Sequence, residues 1–457
     1  MDDQPRQPYP GHIARLAARI EADMAAAEPL GSPHDGAPAE LRTAVSSAVE
    51  RRTDDLIALS HEVHAHPEVG FTEHRAVAAV ARLLGEHGHD AEVGAFGLPT
   101  ALRARVGAGH PRVAVIAEYD ALPGIGHACG HNVICATAVG AFLALADTAA
   151  DLGGSVELIG TPAEEGGGGK ELIAQAGGFD EIDVAVMAHP SGFDVAEHRW
   201  LGVRQVEVVY RGRAAHASLT PFLGVNALDA AVAAYTGIAQ LRQHMLPGDR
   251  MHGIITDGGQ RPNIVPDRAA ATFYLRSSEP DTLVELSERA DAIFQAAAAA
   301  SGAAVDVTWD PCPTYLPVRS NHALAARYAA NMAARGRRVL PAGIVPLDLA
   351  GSTDMGNVSV RVPSIHPFLA ISPPEVTIHT PDFAHWAASD LADRGTVDGA
   401  TALALTAADY LTDAALREAV HDEFDAAGGV VDVDALLATA GRPPPPWRGG
   451  PATSPGG

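Results

Sequence analysis

Four short stretches carry side chains suited to binding ions or moving protons. His127-Ala128-Cys129-Gly130-His131 sets a thiol and an imidazole two residues apart. If the backbone turns at Gly130, both point into one pocket, and a thiolate with a neutral imidazole is a good donor pair for Zn²⁺ or a similar ion. A buried structural cysteine flanked by capping histidines would read the same way. Thr161-Pro162-Ala163-Glu164-Glu165, followed by the glycines at 166–169, places two carboxylates side by side. One can ligate a cation while the other shuttles a proton; a solvated acidic loop is the plainer alternative. Met187-Ala188-His189-Pro190 and Ile378-His379-Thr380-Pro381 each add one histidine, which alone says little. Together, Cys129, His131, Glu165, His189 and His379 are five donors. With one of them shared, five donors suit two cations about 3.5–4 Å apart. A single structural zinc at His127, Cys129 and His131 is the rival. Such sites close four ligands over short spacings, whereas Glu165 lies 34 residues beyond His131.

These donors need a scaffold that brings positions 129 to 379 together. Residues 112–117 read as a buried strand, 131–147 as a helix of small and apolar residues, and 155–160 and 183–187 as further strands. Strands separated by helices imply an α/β layer fold with a mostly parallel sheet. The Cys129, Glu165 and His189 stretches follow strand ends, the edge where ligand sites gather in such sheets. From 205 the pattern changes to a strand (205–211), an amphipathic helix (226–245), two strands (252–256, 269–276), a helix stopped by Gly302 (280–301) and a strand (305–309). The order β-α-β-β-α-β is that of a ferredoxin-like sandwich. The expected organisation is a tail, short helix and linker at 1–40, a large discontinuous domain at 41–198 and 314–425, and an inserted domain at 199–313. A largely disordered tail is expected at 426–457, which ends in a Pro/Gly-rich run.

The 457 residues are 47% hydrophobic and 19% charged, enough apolar content to bury sizeable cores. A net charge of −24 repels phosphate backbones and anionic lipid, which argues against nucleic-acid and membrane partners. Three cysteines make no disulfide framework. The polar, Pro-rich start lacks a signal-peptide pattern, and no uncharged apolar run reaches the ~18 residues of a membrane span. A cytoplasmic location is the expectation.

The stretches HEVHAHPEVGFTEHRA (61–76), AEYDALPGIGHACGHN (117–132), GTPAEEGGGGK (160–170), MAHP (187–190), GRAAHAS (212–218), GGQRPNIVP (258–266), YLRS (274–277), GSTDMGNVS (351–359) and IHTPDF (378–383) occur in this order across about 50 to 410. On them the chain resembles the aminoacylase/carboxypeptidase family of di-metal exopeptidases. Within it the chain resembles the amidohydrolase branch that holds hippurate hydrolase and the auxin-conjugate hydrolases. EYDALPGIGHACGHN and GSTDMGNVS are most similar to the β-alanyl-lysine (Xaa-Arg, Xaa-Lys) dipeptidase subgroup.

The resemblance implies a set of roles. Cys129 would be a thiolate bridging two divalent ions per subunit, with His131, Glu165, His189 and His379 completing their shells. Zn²⁺ comes first for such donors, and Mn²⁺ or Co²⁺ is permitted. Glu164 would be the general base that takes a proton from metal-bound water. Asp120 and Asn132 would support ligands from behind, a strand-end cap being the alternative for Asp120. Many branch members carry Asp where this chain has Asn132, an exchange shared by the dipeptidase-like subgroup. The inserted domain would serve as a lid and join a homodimer. His216 would reach the partner subunit's site to steady an oxyanion, and Asn263 and Arg276 would hold substrate oxygens or a carboxylate. Without the resemblance, a turn histidine and a surface ion pair would be the readings for His216 and Arg276. The implied activity is hydrolysis of the amide bond of an Xaa-Lys, Xaa-Arg or β-alanyl dipeptide. An N-acyl-amino-acid amidohydrolase is the alternative, and a catalytically silent binding homologue the third.

Overall fold

The computed structural model describes residues 9–346 and 350–438, which fall into two units. Of the described residues, those up to Arg199 and from Val318 to Val430 make up one; Trp200–Pro317 and 431–438 make up the other. The chain leaves the second unit at 317 rather than 313 because Tyr315 is paired with Val203 through two backbone hydrogen bonds, 2.8 and 3.0 Å.

In the first unit, the described residues form one sheet from β1 (Glu92–Val93), β2 (Leu102–Gly107), β3 (Arg112–Glu118), β4 (Ser155–Thr161), β5 (Val184–Val186) and β11 (Ser364–Ile365). Its order is β1-β2-β4-β3-β5-β11. The pairs β3–β4, β3–β5 and β5–β11 are parallel, while β1 and β2 extend the sheet antiparallel. All residues of β3 and β4 are buried, as expected of strands covered on both faces. A separate two-stranded parallel sheet pairs β6 (His189–Ser191) with β12 (Phe368–Ala370). His189 therefore lies beyond the end of β5 on this small sheet, not on the main sheet where its strand-end position suggested.

Helices α1 (Pro10–Ala26), α2 (Ala39–Glu50), α3 (Thr53–Ala65), α4 (His74–Glu86), α5 (His131–Asp147) and α6 (Gly169–Gln175) precede the insertion. After it come α9 (His322–Ala334), α10 (Met355–Ser359), α11 (Pro381–Trp386), α12 (Asp390–Thr412) and α13 (Ala414–Ala426). Helix α5 is apolar on every side and buried from His131 to Leu145, which suits a helix packed between α3, α12 and β3. A buried ionic knot ties α2, α9 and α12. The fully buried Asp409 accepts from Arg42 Nη1 (2.8 Å), Arg327 Nη2 (2.8 Å), Asn331 Nδ2 (2.9 Å) and the Ala37 amide (2.7 Å).

The second unit runs β7 (Gly202–Arg211), α7 (Ala227–Leu241), β8 (Arg250–Asp257), β9 (Arg268–Ser277), α8 (Pro280–Ser301) and β10 (Ala304–Trp309). Its antiparallel sheet has the order β10-β7-β9-β8, the ferredoxin-like arrangement. The alternating burial of β7 turns Val206, Val208 and Tyr210 inward onto Ala230, Ala234 and Phe294 of the two helices. Of the tail expected from 426, residues up to 438 are described. Residues 433–437 form α14 (Val433–Leu437), capped by the Asp432 side chain and anchored by the buried Val433. The Pro/Gly-rich run beyond 438 lies outside the described residues, as do residues 1–8. No helix among the described residues is long and apolar enough to cross a membrane.

Candidate metal centre

Backbone geometry delivers the donors of the first unit to one place. After β3 the chain reaches Cys129, turns at Gly130 with φ +77°, and starts α5 at His131. A Cβ at 130 would stand 2.7 Å from Pro190 Cβ, in a conformation that other residues rarely adopt. After β4 the chain turns again at Ala163, φ +56°, whose amide donates to Glu73 (2.8 Å). The Glu165 amide donates to Asp120 Oδ2 (2.9 Å). His379 is itself left-handed, φ +64°, with its amide bonded to the Ala128 carbonyl (2.8 Å). Such strained non-glycine residues cluster where function over-determines them.

The donor atoms surround a shared sulfur. Cys129 Sγ is 3.5 Å from Nε2 of His189 and 3.5 Å from Nε2 of His379. His379 Nε2 is 3.4 Å from Glu165 Oε1, and His131 Nε2 is 3.8 Å from Glu164 Oε2 and 4.0 Å from Glu165 Oε1. Cys129, His131 and His189 offer ligand atoms within 4.8 Å of one another, and so do Cys129, Glu165 and His379. Donors about 2.0–2.3 Å from one tetrahedral ion stand about 3.3–3.6 Å apart. The shortest separations have that value, so both chemistry and spacing fit a pair of divalent cations. Cys129, His131 and His189 are buried, while the His379 side chain is 51% exposed and marks the open side.

Burial pushes the Cys129 thiol well above its usual range, helped by the neighbouring Glu165 carboxylate. Burial also raises Glu164 far above the ordinary carboxyl range, and Glu118 and Glu165 reinforce the rise. In Glu165 burial acts in the same direction, but the hydrogen bond to His379 and the His131 charge win and lower it. Burial alone would make His131 harder to protonate; the carboxylates of Asp120 and Glu118 outweigh it and raise His131 well above its usual value. His189 is lowered to about 4 by burial.

Asp120 is fully buried, and its Oδ1 lies 3.1 Å from His131 Nδ1, so it touches both a histidine and the Glu165 loop. Asn132 does not share this task. It donates to Ser60 Oγ and to the Ala387 carbonyl, both 2.9 Å, and thus links α5 to α3 and the end of α11. Residues adjacent on a helix face about 100° apart, so Asn132 turns away from the side that His131 presents.

His216, Asn263 and Arg276 belong to the other unit. His216 is exposed, and its Nδ1 accepts from the amides of Ser218 (3.3 Å) and Leu219 (3.2 Å). The Asn263 carbonyl accepts from the Ala217 amide (3.0 Å), which holds these two loops together. Arg276 Nε donates to His252 Nε2 (3.4 Å), and its guanidinium lies 6.0 Å from the Tyr274 ring.

Three charged residues near the centre had no role in the sequence reading. Glu118, Lys170 and Asp354 are buried together, with Lys170 Nζ 2.5 Å from a carboxylate oxygen of each acid. Each lies in one of the stretches that carry the family resemblance, but nothing local in the sequence marks an ion as buried.

The chain matches peptidase family M20/M25/M40 over residues 114–402. It is 41% identical over 404 residues to an Xaa-Arg dipeptidase of Mus musculus, covering 84% of this chain and 92% of that protein. It is 28% identical over 458 residues to a p-aminobenzoyl-glutamate hydrolase chain of Escherichia coli, covering 84% and 95%. In structure it resembles a dinuclear metal binding peptidase of Bacillus subtilis, with a TM-score of 0.61 at 21% identity, over 80% of this chain and 99% of that one.

Proposed function

Since the chain belongs to peptidase family M20/M25/M40 and is a hydrolase acting on peptide or amide bonds, we propose that it cleaves dipeptides of the Xaa-Arg, Xaa-Lys or β-alanyl type with the help of two divalent ions. One observation carries this reading: two donor groups share Cys129, and Glu164 stands in a third group with His131 and Glu165. Cys129, His131 and His189 would hold one ion; Cys129, Glu165 and His379 would hold the other. When bound, the ions, Zn²⁺ foremost with Mn²⁺ or Co²⁺ as alternatives, polarise the scissile carbonyl and acidify a water molecule.

The chain's own residues do the rest. Glu164 takes the proton of the attacking water and hands it to the leaving nitrogen; its raised affinity for a proton suits the carrier between the two steps. Asp120 holds the His131 ring through Nδ1 and the Glu165 loop through its amide. In His216, Nδ1 accepts two amide hydrogens, so the ring proton sits on Nε2, where it can be donated to an oxyanion. Arg276 offers a guanidinium that binds a carboxylate through two parallel hydrogen bonds, and Asn263 offers a side-chain amide in the same unit. A second copy of the chain is the expected partner. Ile254 on the edge strand β8 is 64% exposed, and Leu219 and Phe222 are 73% and 80% exposed, apolar surface that a homodimer through the inserted domain would cover.

The Xaa-Arg dipeptidase relatives favour a dipeptide. The p-aminobenzoyl-glutamate hydrolase relative supports a second reading, an N-acyl-amino-acid amidohydrolase. A panel of both substrate classes, read as amine released by the metal-reconstituted protein, separates them. Fastest release from Xaa-Arg, Xaa-Lys or β-alanyl-Lys is expected. Faster release from N-acyl amino acids would favour the second reading, and no release from any substrate with two ions bound would sink both.

A further inference from the structure

Beside Glu164 lies a second buried cluster with no part in the reaction above. Lys170, in the first turn of α6, is fully buried, and its Nζ stands 2.5 Å from Glu118 Oε1 and 2.5 Å from Asp354 Oδ1. Its own amide donates to Asp354 Oδ2 (3.0 Å), so side chain and backbone grip the same carboxylate. Oxygens of Glu118, Glu164 and Asp354 lie within 4.8 Å of one another. Three carboxylates so spaced in a dry interior repel one another strongly unless a cation neutralises them. Here the chain supplies that cation itself.

The contacts continue toward the proposed ions. Glu118 Oε2 is 3.4 Å from His131 Nε2, and Glu118 is the last residue of β3. Asp354 immediately precedes α10. The ammonium thus joins three elements, β3, α6 and α10, and one of its two acids touches a proposed ligand. We propose that Lys170 is a positioning residue: it clamps Glu118 and Asp354 and so fixes the Glu118 carboxylate beside Nε2 of His131, the nitrogen left to face the ions. The inference rests on the two-ion reading of the same site.

The test compares the full-length wild type with Lys170→Met and with the double variant Lys170→Met/Asp354→Asn. The single variant strips three acids of their cation and should melt at a lower temperature. The double variant loses one charge of each sign, so most of that melting temperature should return. With ions loaded, the double variant is expected to keep KM within about threefold while kcat falls about 10- to 100-fold, and chelator competition should show ions bound more weakly by a similar factor. A loss of threefold or more in either kcat or ion affinity supports the inference. Recovery of both to within threefold of wild type overturns it and leaves Lys170 a structural ion. Should the double variant not fold, Glu118→Gln, which keeps Lys170 and Asp354 paired, is judged by the same two measurements and limits. A wild type that binds two ions yet releases no amine would sink the hydrolase reading, while the chelator competition still decides the role of Lys170.

Discussion

Glu164 and Glu165 are neighbours in sequence with opposite tendencies. The buried acid, Glu164, is pushed toward its protonated form, and Glu165 is held ionised by His379 and His131. That difference is in keeping with the proposal that Glu164 carries the proton and Glu165 holds an ion. Glu164→Gln is expected to lower kcat by about 10²- to 10⁴-fold with bound metal unchanged, as checked by steady-state kinetics and metal analysis; full activity in that variant would refute the base assignment. His198 gives a prediction about pH. It is buried, stacked on Phe368, and lowered to about 4 by burial. The unfolded chain protonates a histidine near 6.5, so the stability held by neutral His198 is complete above that pH and is lost as pH falls toward 4. Relative to His198→Phe, the wild type should lose about 3 kcal/mol across that window, read from urea unfolding at several pH values. A constant difference would mean that His198 titrates normally in the fold.

At the scale of elements, the helices and strands that carry the donors follow from local pattern. The runs at 112–117 and 155–160 read as buried strands and 131–147 as a helix, and β3, β4 and α5 form there. The connections were less legible. Nothing in the run of glycines at 166–169 marks packing, yet a Cβ at Gly169 would stand 1.8 Å from the Pro162 carbonyl oxygen, so the loop is closely packed there. Gly169→Ala must displace the segment that carries Glu164 and is expected to lower kcat at least ~10-fold, as typical of misplaced catalytic groups; unchanged kinetics would show that the loop gives way freely. The ionic knot at Asp409 was equally hidden, since its partners lie up to 372 residues away. Asp409→Ala leaves buried guanidinium groups unpaired and should cost about 3–5 kcal/mol in denaturant unfolding. The kcat of the folded fraction should be unchanged, because Asp409 joins helices and touches none of the proposed ligands.

For the whole molecule, the question is whether one copy of the chain is sufficient. If His216 serves the partner subunit's site, mixing inactive Glu164→Gln and His216→Ala proteins and letting subunits exchange should restore about a quarter of wild-type activity, since half of the dimers would be mixed and each would hold one complete site. No recovery, with exchange verified, would place His216 in its own subunit's reaction, and a fully active His216→Ala protein would give it no role. Ile254→Lys, a charge on the exposed edge strand, should shift sedimentation toward the monomer.

Read alone, the sequence was enough to define the family resemblance, the two kinds of α/β layering and the residues able to bind ions, because strand and helix periods and donor chemistry are local properties. It also offered Asn132 as a support for His131, because adjacency is all that a sequence shows. Packing decided otherwise: Asn132 turns to Ser60 and Ala387, and Asp120 meets the ring instead. Only the folded chain brings Cys129 within 3.5 Å of a histidine 250 residues away and buries Lys170 between two acids. The reason is physical: which charges lose their water, and which distant groups meet, depends on how whole elements pack, and no short window of residues contains that information.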